Sequence, residues 1–193
     1  MNDTPDEIKA AVKQRFAIVA RSPERESIFP VGPQSAKRLG YPAGEIDAIP
    51  LVVTESFAGV GNPFKLGAPS GGQSILDIGC GAGLDAILAA RRVGKGGKIF
   101  AIDMTPEMIQ KAQHNARMVG LDNIYFFCDD IHTLTLPSDA IDVVISNGVF
   151  NLCVDKPKVV AEIFRVLKRQ GRLQMADILL QDGVPQKEGT WSD

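Results

Sequence analysis

Three glycines at alternate positions, Gly79, Gly81 and Gly83, follow the apolar run Ser74-Ile-Leu-Asp-Ile78 and lead at once into an apolar helical pattern, Leu84 to Val93. No other stretch limits the fold so tightly. A strand that enters a glycine turn and then a helix leaves backbone N–H groups and a helix N-terminus at the strand's C-terminal edge. Open α/β sheets bind their ligands there. Glycine is needed where a side chain would collide with a ligand pressed against the backbone, and where a tight turn visits positive φ.

The spacing narrows the ligand. A dinucleotide fingerprint, G-x-G-x-x-G/A, counted from Gly79 and Gly81 puts its third small residue at Leu84. The spacing here is G-x-G-x-G, led by Asp77. An acid at the strand end sits badly beside a pyrophosphate. It suits a ligand with an ammonium group, such as the amino-acid end of S-adenosylmethionine. A second acid, Asp103, ends the next apolar run, Lys98 to Asp103, at the offset usual for a carboxylate that takes both ribose hydroxyls. Loop and acids together predict a nucleoside-type ligand. A purely structural turn is the alternative.

The remaining chain supports an α/β domain. Residues 5–20 read as an amphipathic helix capped by Asp3 or Thr4, with Ile8, Val12, Phe16 and Val19 in one stripe. It either packs on the domain or forms a flap over the site. From Ser22 to Gly72 prolines and glycines recur, with short helical turns expected at Ser35–Leu39 and Ala43–Ala48. Strands are then predicted at 74–78, 98–102, 124–128, 141–146 and 172–177, with Cys128 closing a buried strand. Helices alternate with them at 84–93, from Thr105-Pro106 to Gly120, and from Lys156 to Lys168. Such alternation means a mainly parallel, doubly wound sheet with right-handed crossovers. The expected division is a cap or lid segment, 1–70, and a core, 71–193.

At 193 residues there is room for one well-buried domain, and a formal charge of −2 gives no sign of nucleic acid or membrane partners. No run approaches a transmembrane span, and the N-terminus has acids where a signal peptide needs bases. The three cysteines, Cys80, Cys128 and Cys153, are widely spaced and odd in number, as in reduced cytoplasmic proteins, with no zinc motif. No general base stands out. His132, just past the third strand, reads as a surface turn with an acceptor-side role as the alternative, and His114 faces solvent.

These residues resemble the class I S-adenosylmethionine-dependent methyltransferases, and within them the arsenite methyltransferase branch. The general signature is Ile75 to Gly83. The branch-level likeness adds Gly40-Tyr-Pro through Gly61-Asn-Pro63, Ala89 to Gly94, Ile102-Asp-Met-Thr-Pro-Glu-Met108, Val144 to Asn147, Asn151 to Pro157 and Arg165 to Lys168. The resemblance implies a Rossmann-like fold, S-adenosyl-L-methionine as cofactor, and methyl transfer to a small-molecule acceptor. It implies that Asp77 and the backbone of Gly79, Cys80 and Gly81 hold the methionine moiety. Asp103 would take the ribose, Met104 and Ile131 would flank the adenine, and Asp130 would accept from its amino group. Asn147 would face the donor methyl and the acceptor, as the candidate catalytic residue.

The branch binds trivalent arsenic through cysteine thiolates, soft ligands for a soft metalloid. Two of those positions hold Val60 and Gly148 here, and a third would follow Trp191-Ser-Asp193. A small soft acceptor, thiol or metalloid, is therefore expected, without arsenic methylation by this polypeptide. The resemblance also implies a seven-stranded sheet whose closing hairpin is not found in Gln181–Asp193. That leads to two expectations of equal weight. One is a chain cut at a stop codon readable as selenocysteine; the other is a relative that dispenses with the hairpin. The bare sheet edge leaves room for a homodimer. Two competing functions follow: a non-catalytic module that binds S-adenosylmethionine or its product, and a nicotinamide oxidoreductase, which the glycine spacing disfavours.

Overall fold

The computed structural model describes residues 4–179. Helix α1 (Pro5–Arg21) starts at Thr4, whose hydroxyl accepts from the Glu7 N–H while the Glu7 carboxylate accepts from the Thr4 N–H. This reciprocal cap satisfies two donors that the first turn leaves free. Of the predicted stripe, Val12 and Val19 are buried, whereas Ile8 and Phe16 are half-buried.

The segment after α1 is more helical than its prolines suggested. It forms α2 (Pro33–Arg38), α3 (Ala43–Asp47), α4 (Leu51–Thr54) and 3-10 turns at Pro23–Arg25 and Pro63–Leu66. Pro33, Pro42 and Pro50 stand at or just before helix starts, where the missing N–H costs nothing. The turns expected at Ser35–Leu39 and Ala43–Ala48 are present as α2 and α3, whereas α4, begun after Pro50, is not among the expected elements.

The core then alternates β1 (Ser74–Ile78), α5 (Leu84–Val93), β2 (Lys98–Asp103), α6 (Pro106–Met118), β3 (Ile124–Cys128), β4 (Ile141–Asn147), α7 (Lys156–Val166) and β5 (Leu167–Ala176). Every pair is parallel and the order is β3-β2-β1-β4-β5. The chain winds outward from β1 through β2 to β3, returns past β1 and continues on its other side. The reversal between β1 and β4 opens a crevice at the strands' C-terminal ends.

Two boundaries need correction. Helix α7 stops at Val166 rather than Lys168, because Leu167 already pairs with Ile141. Residues 168–171 then bulge out before Arg172 pairs with Val143, so the strand read as starting at 172 begins five residues earlier and ends at Ala176. Gly171 makes the bulge possible, since a Cβ there would come within 3.0 Å of the Ile141 carbonyl and 2.8 Å of Leu167 Cδ2. Cys128 is also corrected: β3 is an edge strand and this thiol is exposed.

Alternation along the strands sorts side chains between two faces. Ile75, Ile99, Val143 and Ile145 face one cluster together with Ile87 of α5. That cluster includes Ala36, Tyr41, Ile46, Val53, Phe57 and Phe64, so the segment after α1 shares its core with the sheet. Leu76, Ile78, Ile102 and Val144 face the other cluster, under Val159, Ile163 and Val166 of α7. The expected closing hairpin lies outside the described residues. Among the described residues, β5 is the opposite edge, with Leu173 and Met175 exposed on it, and no helix is long and apolar enough to cross a membrane.

Candidate active site

One cavity lies over the C-terminal ends of β1, β2 and β4, and all nine residues picked out from the sequence line it: Asp77, Gly79, Cys80, Gly81, Asp103, Met104, Asp130, Ile131 and Asn147. Successive strands deliver them: Asp77 from β1, Asp103 from β2, Asp130 from just beyond β3, Asn147 from β4. The glycine loop forms the floor. Gly83 sits at φ +88°, and a Cβ there would lie 3.1 Å from that of Ala112, so loop and α6 meet closely. At Gly81 an added Cβ would find only Met108 Sδ, at 4.0 Å, which leaves this backbone bare beside the cavity.

The acids differ in what already holds them. Asp103 Oδ2 accepts from the Gly81 N–H at 2.9 Å and Oδ1 from the Thr105 N–H at 2.8 Å, so it shapes the loop as well as lining the cavity. Burial raises its pKa, and these two N–H groups work against that rise. Asp77 is 2% exposed, and its Oδ2 is buried without a hydrogen-bond partner among the described residues. Burial first, then the charge of Asp85, push its carboxyl well above the usual range. Asp130 goes the other way. Partial burial raises its pKa, but hydrogen bonds from Lys9 Nζ, at 2.7 Å, and from His132 prevail and bring it below the usual range.

Asn147 reaches the cavity with its amide already used. Oδ1 accepts from the Val60 and Gly61 N–H groups at 2.9 and 3.1 Å. Nδ2 donates to the Gly61 carbonyl, Asp85 Oδ2 and Tyr41 Oη, each at 3.0 Å. The side chain read as facing the acceptor therefore ties the 59–61 loop to the sheet.

His132 lies in a turn, as expected, but not on the surface, which leaves the alternative, a place on the cavity. It is 8% exposed, lines the cavity, and holds Asp130 through Nδ1, while Nε2 is buried without a partner among the described residues. Asp85, Tyr41 and Lys9 are given no site role by the sequence. An acid in a helix's first turn is ordinary dipole complementation, and the other two lie far away in sequence. Cys80 and Cys153 line the cavity as buried thiols. Burial pushes Cys153 up to about 11, with Lys156 pulling the other way, and Cys80 is raised as well. Both stay protonated at neutral pH. Val60 and Gly148, where the arsenite branch is expected to carry thiols, adjoin: a Cβ on Gly148 would sit 3.1 Å from Val60 Cγ1.

A family model described as a methyltransferase domain matches residues 69–192. The chain belongs to that methyltransferase family. Its sheet and flanking helices are those of a class I S-adenosylmethionine-dependent methyltransferase. It is 33% identical to an arsenite methyltransferase of Halobacterium salinarum over 190 residues, 91% of this chain and 48% of that protein. An arsenic(III) S-adenosylmethionine methyltransferase from Chlamydomonas reinhardtii superposes with TM-score 0.63 at 37% identity, over 68% of this chain and 46% of the other. A SAM-dependent methyltransferase from Aquifex aeolicus gives 0.57 at 25% identity, over 81% and 79%. The chain spans about half the length of the haloarchaeal relative and about a third of the next curated ones.

S-adenosylmethionine is the cofactor this methyltransferase family implies. The residues fit it on two grounds: an orphaned carboxylate oxygen, Asp77 Oδ2, at the strand end, and a bare backbone at Gly81. Among the described residues, no group of His, Cys, Asp and Glu is placed to hold a metal ion.

Proposed function

We propose that this chain binds S-adenosylmethionine and transfers its methyl group to a small, soft acceptor, a thiol or a metalloid other than arsenite. The observation that carries this reading is the buried Asp77 carboxyl, whose Oδ2 has no partner among the described residues, behind a glycine loop at the sheet's reversal point. When bound, the cofactor supplies a methyl group already activated by its sulfonium charge.

The protein's work is then alignment and exclusion of water. Asp77 would take the ammonium end, and the Gly79–Gly81 backbone would lie along the methionine chain. Asp103 would accept from the ribose while keeping its grip on Gly81 and Thr105. Met104 and Ile131 would flank the adenine and Asp130 would accept from its amino group, after yielding part of its hold on Lys9. Val12 and Phe16 of α1 line the cavity, and we assign the 1–70 segment the role of cap. Asn147 is a positioning residue: it fixes the 59–61 loop, through which Gly59 reaches the cavity. Arsenite is left out because capture of that metalloid needs several converging thiolates. The cavity offers two protonated thiols, and an apolar side chain and a glycine fill the positions where the others were expected.

A pure binding module is the second reading. The engaged Asn147 amide and the protonated thiols favour it, since neither offers a free base to an acceptor. Transfer of tritiated methyl to thiols, selenite, tellurite and small amines separates the two, with S-adenosylhomocysteine titrated calorimetrically alongside. Product with micromolar or tighter binding supports the enzyme. Binding without product supports the module. Asp103→Ala is expected to abolish binding, and retained micromolar affinity refutes its assignment.

A further inference from the structure

Asp85 is walled in. It occupies the first turn of α5, directly after the glycine loop, yet it is only 7% exposed and lines the cavity. Its Oδ1 accepts from Tyr41 Oη at 2.6 Å and its Oδ2 from Asn147 Nδ2 at 3.0 Å. Asp77 shares the face of the sheet that carries Ile75, the face α5 covers. Both carboxyls line the same cavity, and the charge of Asp85 adds to burial in raising the pKa of Asp77. Two buried carboxyls thus line one cavity at the start of α5, and Asp77 Oδ2 has no partner among the described residues.

Among the described residues a single cation faces the pair. The charged or titratable groups that face the pair are Tyr41 from the α2–α3 connection, Cys80 from the loop, Asp103 from β2 and Arg92 from α5 itself. Arg92 is the one cation in that set. Its Nη2 is engaged with Glu45 at 2.8 Å and its guanidinium lies over the Phe64 ring, 4.0 Å from the centroid, while Nη1 is buried without a hydrogen-bond partner among the described residues, so its charge offsets Asp85 only in part. One cation shared with Glu45 does not hold two like charges this deep, so one carboxyl keeps its proton until a second cation arrives.

We propose that Asp77 and Asp85 share one proton in the ligand-free protein and exchange it for the ammonium group of the cofactor's amino-acid end. An O–H bond breaks, the proton passes to solvent, and the pair goes from one negative charge to two as the ammonium hydrogen-bonds to the vacated oxygen. Asp85 thereby sets the ligand class. Nucleosides with a cationic amino-acid tail gain from the exchange, and nucleosides without one do not. The inference rests on the methyltransferase reading and adds a selectivity device to it.

Two ligands and two buffers test it: S-adenosylhomocysteine and 5′-methylthioadenosine, titrated calorimetrically between about pH 6 and 8 in buffers of different ionisation heat. S-adenosylhomocysteine should release close to one proton, and its affinity should rise with pH, by up to about tenfold per unit. Methylthioadenosine, which lacks the amino-acid end, should release none and show a flat profile. Asp85→Asn should make the profile of S-adenosylhomocysteine shallower while it still binds, because Asp77 then loses the neighbouring charge that adds to burial in raising its pKa. Asp77→Asn should lose S-adenosylhomocysteine and keep methylthioadenosine. Binding of S-adenosylhomocysteine without proton release, or an unchanged slope in Asp85→Asn, overturns the proposal and leaves the methyltransferase reading standing. If neither ligand binds, both fall. Should Asp85→Asn not fold, the proton count on the wild-type protein decides alone.

Discussion

Asn147 joins three parts of the molecule by one amide: the end of β4, the 59–61 loop and the buried Tyr41–Asp85 pair. Its orientation is forced, because one end must accept from two backbone N–H groups while the other must donate to a carboxylate. Asn147→Ala leaves those N–H groups without their acceptor and should cost about 1–3 kcal/mol. Asn147→Asp restores the acceptor but turns a second oxygen toward Asp85 Oδ2 and the Gly61 carbonyl. Near pH 8 it should therefore be less stable than the alanine variant. At pH 5 the gap should narrow, since a protonated carboxyl can donate to Asp85. The substituted acid has a raised pKa in the fold, so its penalty grows as pH rises through that value. Urea denaturation of both variants at the two pH values checks this, and a pH-independent gap would count against the hydrogen-bond scheme.

At the scale of elements, α1 is held unevenly. Its 17 residues span about 25 Å. At the C-terminal end, Ser56 Oγ donates to the Val19 carbonyl at 2.9 Å, Lys111 Nζ to the Ala20 carbonyl at 3.0 Å, and Arg21 pairs with Glu107. At the N-terminal end, among the described residues, Lys9–Asp130 at 2.7 Å is the one polar tie to the sheet domain. Lys9→Gln should loosen this end alone. Hydrogen exchange is expected to quicken over about residues 8–14 and to stay slow at 19–22, where the ties remain. Uniform quickening of the helix would show that Lys9 does not latch it.

Over the whole molecule, opposed groups shape the pH dependence of stability. Asp77, Asp85 and Asp103 have raised pKa values in the fold, chiefly through burial. The ligand-free fold therefore binds more protons at these sites than the unfolded chain does. Its stability from them is complete below about pH 4, the unfolded value, and is lost as pH rises through the raised values. Asp130, Asp142 and Glu162 are lowered, so their contribution is present at neutral pH and lost on acidification. Saturating S-adenosylhomocysteine should relieve the first group. The gain in Tm that it confers should grow from pH 6 to pH 8, and a gain constant with pH would contradict the shared-proton arrangement. The sequence by itself determined the β–α alternation, the glycine loop after β1 and the acids at successive strand ends, because periodicity and turn chemistry act within a few residues. It did not disclose that Pro50 precedes a helix, since a helix start and a loop use the same residue there. Only the tertiary structure decided that Tyr41 meets Asn147 across 106 positions and Lys9 meets Asp130 across 121, and that His132 is buried. Such contacts depend on strand order and on which face a segment crosses, and no local pattern in the chain encodes either.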